Sequence, residues 1–243
     1  MSKIFLYELK MLIFNRIILA LLIITGLYSY MTLSEEIILG TAFTAPFSPW
    51  SFGAYLANLL PLLIITLLFF ITFMFSNQEK KLRQLIFSTP VDPYKFIIIK
   101  CSAAATGFLI VSLFVVVLGM AFLAILFRFF RFGDFIIPIT ITLIPCLLFV
   151  LGAALLLGGL QYNILYALMI AAFLPAFLPM PAFLDLYGGR LFGTHPLTLP
   201  LGPDGEPAFT LPSSFILGRL FFFSTGVLMA LIGIKRYRKI NIG

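Results

Sequence analysis

The chain has 243 residues, of which 62% are hydrophobic and only 10% charged, with a mean hydropathy of +1.14. Soluble domains carry about 25% charged residues, so this composition excludes an aqueous globular domain and points to a bilayer. The net charge of +7 is spread along the flanks of apolar runs, which reads as a topology signal and not as a nucleic-acid surface.

The chain opens with MSKIFLYELKMLIFNR. Charge continues well into this stretch and no small-residue cleavage site closes the apolar run after it. It is therefore not read as a removable signal peptide, and the chain is expected to stay intact. At 100° per residue, Lys3 and Lys10 share one side of a helix, while Glu8 and Asn15 share another roughly 140° away. Ile4, Phe5, Leu9 and Leu12 fill part of the remainder. Residues 1–16 are expected to form an amphipathic elbow helix along the interface, the alternative being a straight extension of the first span.

About 20 residues are needed to cross roughly 30 Å of hydrocarbon. On that basis an all-α, polytopic chain with six spans is expected, forming a single transmembrane domain over residues 1–243. The spans fall near Ile17–Met31, Leu56–Phe75, Phe96–Leu118, Phe135–Leu157, Tyr162–Phe183 and Ser213–Ile234. With the N-terminus inside, the cytoplasmic side collects Lys3, Lys10, Arg16, Lys80, Lys81, Arg83, Lys95, Lys100, Lys235, Arg236, Arg238 and Lys239. The other side receives Arg128, Arg131 and Arg190. This asymmetry sets both termini in the cytoplasm.

Two segments are then external. Thr32–Tyr55 contains Pro46, Pro49 and the only tryptophan, Trp50, whose ring suits the membrane interface. Leu184–Pro212 is rich in Pro and Gly. It follows a fifth span carrying Pro175, Pro179 and Pro181 in its outer half. Proline removes a backbone donor, which lipid tolerates only where protein or water supplies a substitute. The outer end of this span is expected to break or re-enter the membrane; a simple helix end followed by a loop is the alternative.

Arg219 is the one charge placed clearly inside a span. A mid-membrane Arg costs about 2.5–3.5 kcal/mol on insertion scales. It can snorkel to the nearby outer interface, form a structural hydrogen bond, or act in gating or on a substrate path together with Pro175 and Pro179. Ser102, Ala103, Thr106 and Gly107 in the third span, and Gly226 and Ala230 in the sixth, permit close helix approach within the chain or between subunits. Cys101 and Cys146 lie in apolar runs, which argues against a disulfide or metal spacing.

No catalytic pattern appears. The chain has no G-x-x-x-x-G-K-[ST] loop to hold ATP phosphates, no H-E-x-x-H and no G-x-S-x-G. Its one histidine, His195, stands beside Pro196 in the external loop and reads as a loop residue. An enzyme is not expected, and no cofactor is expected in this chain.

The most informative stretch is Ser76–Lys100, SNQEKKLRQLIFSTPVDPYKFIIIK, a charged interruption between apolar runs. From Gln78 to Phe87 helix formers dominate, and Leu82, Leu85 and Ile86 fall on one side while Glu79, Lys80, Arg83 and Gln84 point elsewhere. Thr89-Pro90 should end this helix, because the residue before a proline avoids α geometry. Asp92 and Pro93 then suit an N-cap and a first helical position. Taken on these residues alone, an ordinary positive-inside loop is as good a reading as a lever.

Glu79, Leu85, the run Ser88-Thr89-Pro90-Val91, and Lys100 after an apolar stretch resemble the hallmark of type-2 ABC exporter permeases. Tyr7–Arg16 is similar to that family's elbow helix. The likeness covers the layout of the whole chain and about 35 residues of motif. The third span departs from it, running on through Ala121–Phe127 to Arg128. The resemblance implies a coupling helix within residues 76–95, in which Glu79, Lys80, Arg83, Gln84, Leu85, Ile86, Ser88, Thr89 and Pro90 meet a separate ABC ATP-binding subunit. That subunit would bind the ATP and Mg. A second permease copy, identical or diverged, would complete a dimer that exports a peptide, lipid or drug-like substrate. Multi-pass residence in a bacterial cell membrane follows from the same likeness. Two rival readings are a non-transporting scaffold or assembly factor and a secondary transporter.

Overall fold

The computed structural model describes residues 2–76, 93–178, 180–202 and 205–240. These residues form an all-helical bundle, in which the sole β feature among them is an isolated bridge between Leu201 and Pro207. The described residues hold nine α-helices in order: α1 (Ser2–Ile13), α2 (Arg16–Glu35), α3 (Pro49–Met74), α4 (Pro93–Phe127), α5 (Ile136–Gly158), α6 (Asn163–Ala171), α7 (Leu174–Phe177), α8 (Gly189–Thr194) and α9 (Ser213–Ile240). Five of them, α2, α3, α4, α5 and α9, are long and apolar enough to cross a membrane.

The fifth expected span, Tyr162–Phe183, is not one helix. Helix α6 has nine residues, about 13 Å at 1.5 Å per residue, well short of the hydrocarbon thickness. The break has a chemical cause. Pro175 has no N–H to offer the carbonyl of Ala171, and the Ala176 N–H turns to Phe173 O instead of Ala172 O. The freed Ala172 carbonyl is taken by the Tyr187 hydroxyl. Protein thus supplies the bond that lipid cannot.

Local chemistry also moves other boundaries. Asn15 separates α1 from α2 and caps the latter, its side chain accepting from the Ile17 N–H at 2.9 Å; the two helices are not one straight rod. Ser48 caps α3, with Pro49 at the first turn and the Ser51 N–H on the Ser48 hydroxyl at 3.1 Å. Helix α3 therefore begins seven residues before the expected Leu56. This corrects the placement of Trp50 in a loop: it lies in the first turn of α3. Its ring is 1% exposed and packed among protein side chains, with Nε1 donating to Pro207 O at 3.2 Å.

Helix α4 is 35 residues long, about 52 Å. It ends at Phe127 because Arg128 turns into the left-handed region at φ 52°. The Phe129 N–H then bonds Leu123 O, closing the helix end as a left-handed cap does.

Helix α3 is the axis of the bundle. Two thirds of its span is buried (67%), against 28% for α2 and α9, and it packs on α2, α4, α5, α6 and α8. Helices α5 and α9 run side by side. Gly152, Gly226 and Gly233 bring their backbones into contact, with a Cβ on Gly226 falling 2.5 Å from the Phe149 nitrogen. Gly226 and Ala230 thus serve packing inside the chain. Gly107 likewise receives the Phe70 ring of α3. Three helices are also tied by one polar clasp. The Tyr55 hydroxyl donates to Val115 O at 2.8 Å, so the Ser29 hydroxyl, 2.6 Å away, donates to it in turn.

Candidate functional site

Chain connectivity gives the bundle two ends: a proximal end bearing α1, and a distal end bearing the first turn of α3 and the segment 184–212. At the proximal end α1 lies against α4. Glu8 and Lys100 meet there in an ion pair of 3.3 Å, with side chains 11% and 3% exposed. The Lys100 ammonium also sits 5.0 Å from the Phe96 ring centre. In a low-dielectric setting such a pair is strongly interdependent, because either charge alone is costly to bury. Helix α4 begins at Pro93, directly after residues 77–92, so this pair clamps the N-terminal helix to the helix that the charged segment leads into.

At the distal end a small cap is built around Asp185. Its carboxylate accepts from the Gly188 N–H at 2.8 Å and the Arg190 N–H at 3.0 Å, starting helix α8 at Gly189. Gly188 takes φ +81°, which favours glycine. Arg219, from α9, reaches into this cap instead of toward the surface. It is 3% exposed, donates to Leu186 O through one terminal nitrogen, and lies over the Phe215 ring at 4.3 Å. Its Nε and second terminal nitrogen have no hydrogen-bond partner among the described residues. Tyr187 is held on Ala172 O, and burial pushes its phenol well above the ordinary range.

Between α2, α3, the α6–α7 break and α8 lies a cavity of about 780 Å³. Glu36 and Asn58 stand at one side, joined by an amide-to-carboxylate bond of 2.7 Å. Arg190 stands at another, its guanidinium also donating to Met180 O at 2.9 Å. Pro61, inside α3, leaves Ala57 O without its helical donor, and both residues line the space. A second, apolar cavity of about 160 Å³ shares Pro175 and Tyr187 with the first.

Of the residues singled out from sequence, Glu79, Lys80, Arg83, Gln84, Leu85, Ile86, Ser88, Thr89, Pro90 and Pro179 lie outside the described residues. Pro175 lines both cavities, and Arg219 belongs to the distal cap. His195 stands edge-on to Trp50, ring centres 5.8 Å apart. Among the described residues no cluster of three or more His, Cys, Asp or Glu could hold a metal; Cys101 and Cys146 are free and buried. Sequence reasoning missed Glu8–Lys100 as a pair, Asp185 as the cap builder, and the Glu36–Asn58–Arg190 rim. The signal for the first was present: each is a charge set among apolar neighbours, at the same end of the bundle.

An all-helical bundle with five apolar helices of spanning length defines a multi-pass membrane protein. No protein-family model, curated protein or solved structure matches the chain.

Proposed function

We propose that this chain is the permease subunit of a type-2 ABC exporter, driven by a separate ATP-binding subunit and working as a dimer of permease chains in a bacterial cell membrane. The observation that carries the reading is the Glu8–Lys100 pair. It joins a short N-terminal helix to the inner end of a long span, next to a segment whose Glu79, Leu85 and Ser88-Thr89-Pro90-Val91 resemble a coupling helix. In this reading α1 is the elbow helix and the proximal end is cytoplasmic. Force delivered to residues 79–90 by ATP-driven closure of the partner enters α4 through Pro93 and α1 through the ion pair.

Copurification tests it. The chain should retain a soluble ABC ATPase encoded beside it, and Glu79→Arg or Leu85→Asp should abolish that association and the stimulated hydrolysis. Unchanged association in both variants would sink the coupling role. Retention of no ATPase at all, by a well-folded chain, would favour a scaffold.

A further inference from the structure

The large distal cavity and its small apolar neighbour make an amphipathic site within a single chain. Apolar side chains from three elements, Ile24, Leu62, Phe173 and Leu178, form much of the larger wall. Its volume of about 780 Å³ falls in the range of small-molecule sites, about 300–1,000 Å³. The polar groups are few and opposed in charge. Glu36 offers a carboxylate steadied by Asn58, and Arg190 offers a guanidinium tethered by one nitrogen to Met180 O. Asp185 also lines the cavity, but its two oxygens are engaged by the N–H groups of Gly188 and Arg190. One available carboxylate and one guanidinium complement a ligand bearing an ammonium and a phosphate. The planar guanidinium fork suits phosphate oxygens. Beyond Pro175 and Tyr187 the second cavity is walled by Ile64, Leu68 and Val150, an environment for hydrocarbon alone.

We infer that this paired cavity binds a zwitterionic amphiphile of the lysophospholipid class. The phosphate lies on Arg190, the amine on Glu36 and Asn58, and the acyl chain along Leu62 and Phe173 toward the Pro175–Tyr187 wall. The Tyr187 hydroxyl that mends the helix break at Ala172 O thus also stands on the boundary between the two cavities. This inference stands apart from the transport reading, because it concerns binding to one chain with no ATPase present.

The test is native mass spectrometry of the purified full-length chain released from neutral maltoside micelles, titrated with lysophosphatidylethanolamine. Monoacylglycerol of equal chain length, lysophosphatidylglycerol and free glycerophosphoethanolamine run as comparisons. One stoichiometric adduct is expected with the zwitterionic lysolipid, at least tenfold tighter than with monoacylglycerol, weaker with the anionic lysolipid, and absent with the chain-free headgroup. Arg190→Gln and Glu36→Gln should each weaken it about tenfold, the scale of one charge-assisted hydrogen bond. The swap Glu36→Arg with Arg190→Glu should restore part of the binding, which a collapsed fold would not do. Tyr28→Trp, narrowing the cavity from α2 without altering charge, should abolish the adduct while size-exclusion elution and helical signal stay unchanged. Equal binding of all lysolipids and monoacylglycerol, or wild-type binding by the Gln and Trp variants, overturns the site. A strong adduct with the free headgroup overturns the role of the acyl chain.

Discussion

Gly152 on α5 and Gly226 on α9 let two membrane-length helices touch backbone to backbone: a Cβ placed on Gly152 would lie 2.2 Å from the Gly226 carbonyl oxygen. Small residues at such a crossing are what permit close approach where no hydrophobic effect drives helices together. Gly152→Val should therefore force the helices apart and cost more than the roughly 1–3 kcal/mol of ordinary overpacking, seen as loss of monodisperse protein in detergent. Gly193→Ala, where a Cβ meets nothing within 4 Å, should leave yield and thermal midpoint unchanged.

The proximal ion pair makes a second prediction. Lys100→Met leaves Glu8 buried without its 3.3 Å partner and should destabilise the chain by about 3–5 kcal/mol. Glu8→Met combined with Lys100→Met should recover most of that loss, because neither charge is then buried. Thermal unfolding followed by helical circular dichroism in one detergent reads the cycle; strictly additive losses would show that the two charges do not depend on each other.

The three-helix clasp is weaker but separable. Tyr55→Phe removes the donor to Val115 O and the acceptor of Ser29, and should cost about 1 kcal/mol, within the range seen for polar bonds between membrane helices. Adding Ser29→Ala should cost little more, since its partner is already gone. A full additional loss would place the Ser29 hydroxyl in some other interaction.

Trp50 is the only tryptophan, so its fluorescence reports one site. A ring enclosed by Phe192, Phe209 and His195 should emit at short wavelength and resist quenching by both aqueous acrylamide and brominated lipid. An interfacial ring would be quenched by lipid brominated near the headgroup, and that result would reject the buried first turn of α3.

Gly188 faces Arg219 across the distal cap. With φ at +81° and the Arg219 terminal nitrogen only 2.8 Å from a built Cβ, Gly188→Ala should carry the left-handed penalty of about 1–2 kcal/mol and dislodge the guanidinium. Faster proteolytic cleavage within residues 184–212 is the expected readout. Cleavage at the wild-type rate would mean that the cap does not rest on this contact.

Much of the bundle was legible beforehand. Helix α5 starts and stops within one residue of its expected limits, because an unbroken apolar run bounded by charge or glycine admits one solution in lipid. The disruption of the fifth span was legible too, as Pro175 states its missing donor in the sequence itself. Trp50 was misplaced in a loop because that reading gave no weight to Ser48 and Pro49, a cap and a first-turn proline that start a helix there, and because Pro207, which receives its N–H, is 157 residues away.

By itself the sequence determined a membrane chain of long helices and the positions where helices must end. Those properties follow from solvation of side chains and from backbone donors, which are local. Only the tertiary structure decided that Glu8 finds Lys100, that Tyr187 mends the break at Ala172, and that Glu36, Asn58 and Arg190 face one cavity. Those meetings depend on how helices cross. Crossing is set by the contact of glycine with backbone and ring with ring across the bundle, which no stretch of chain encodes alone.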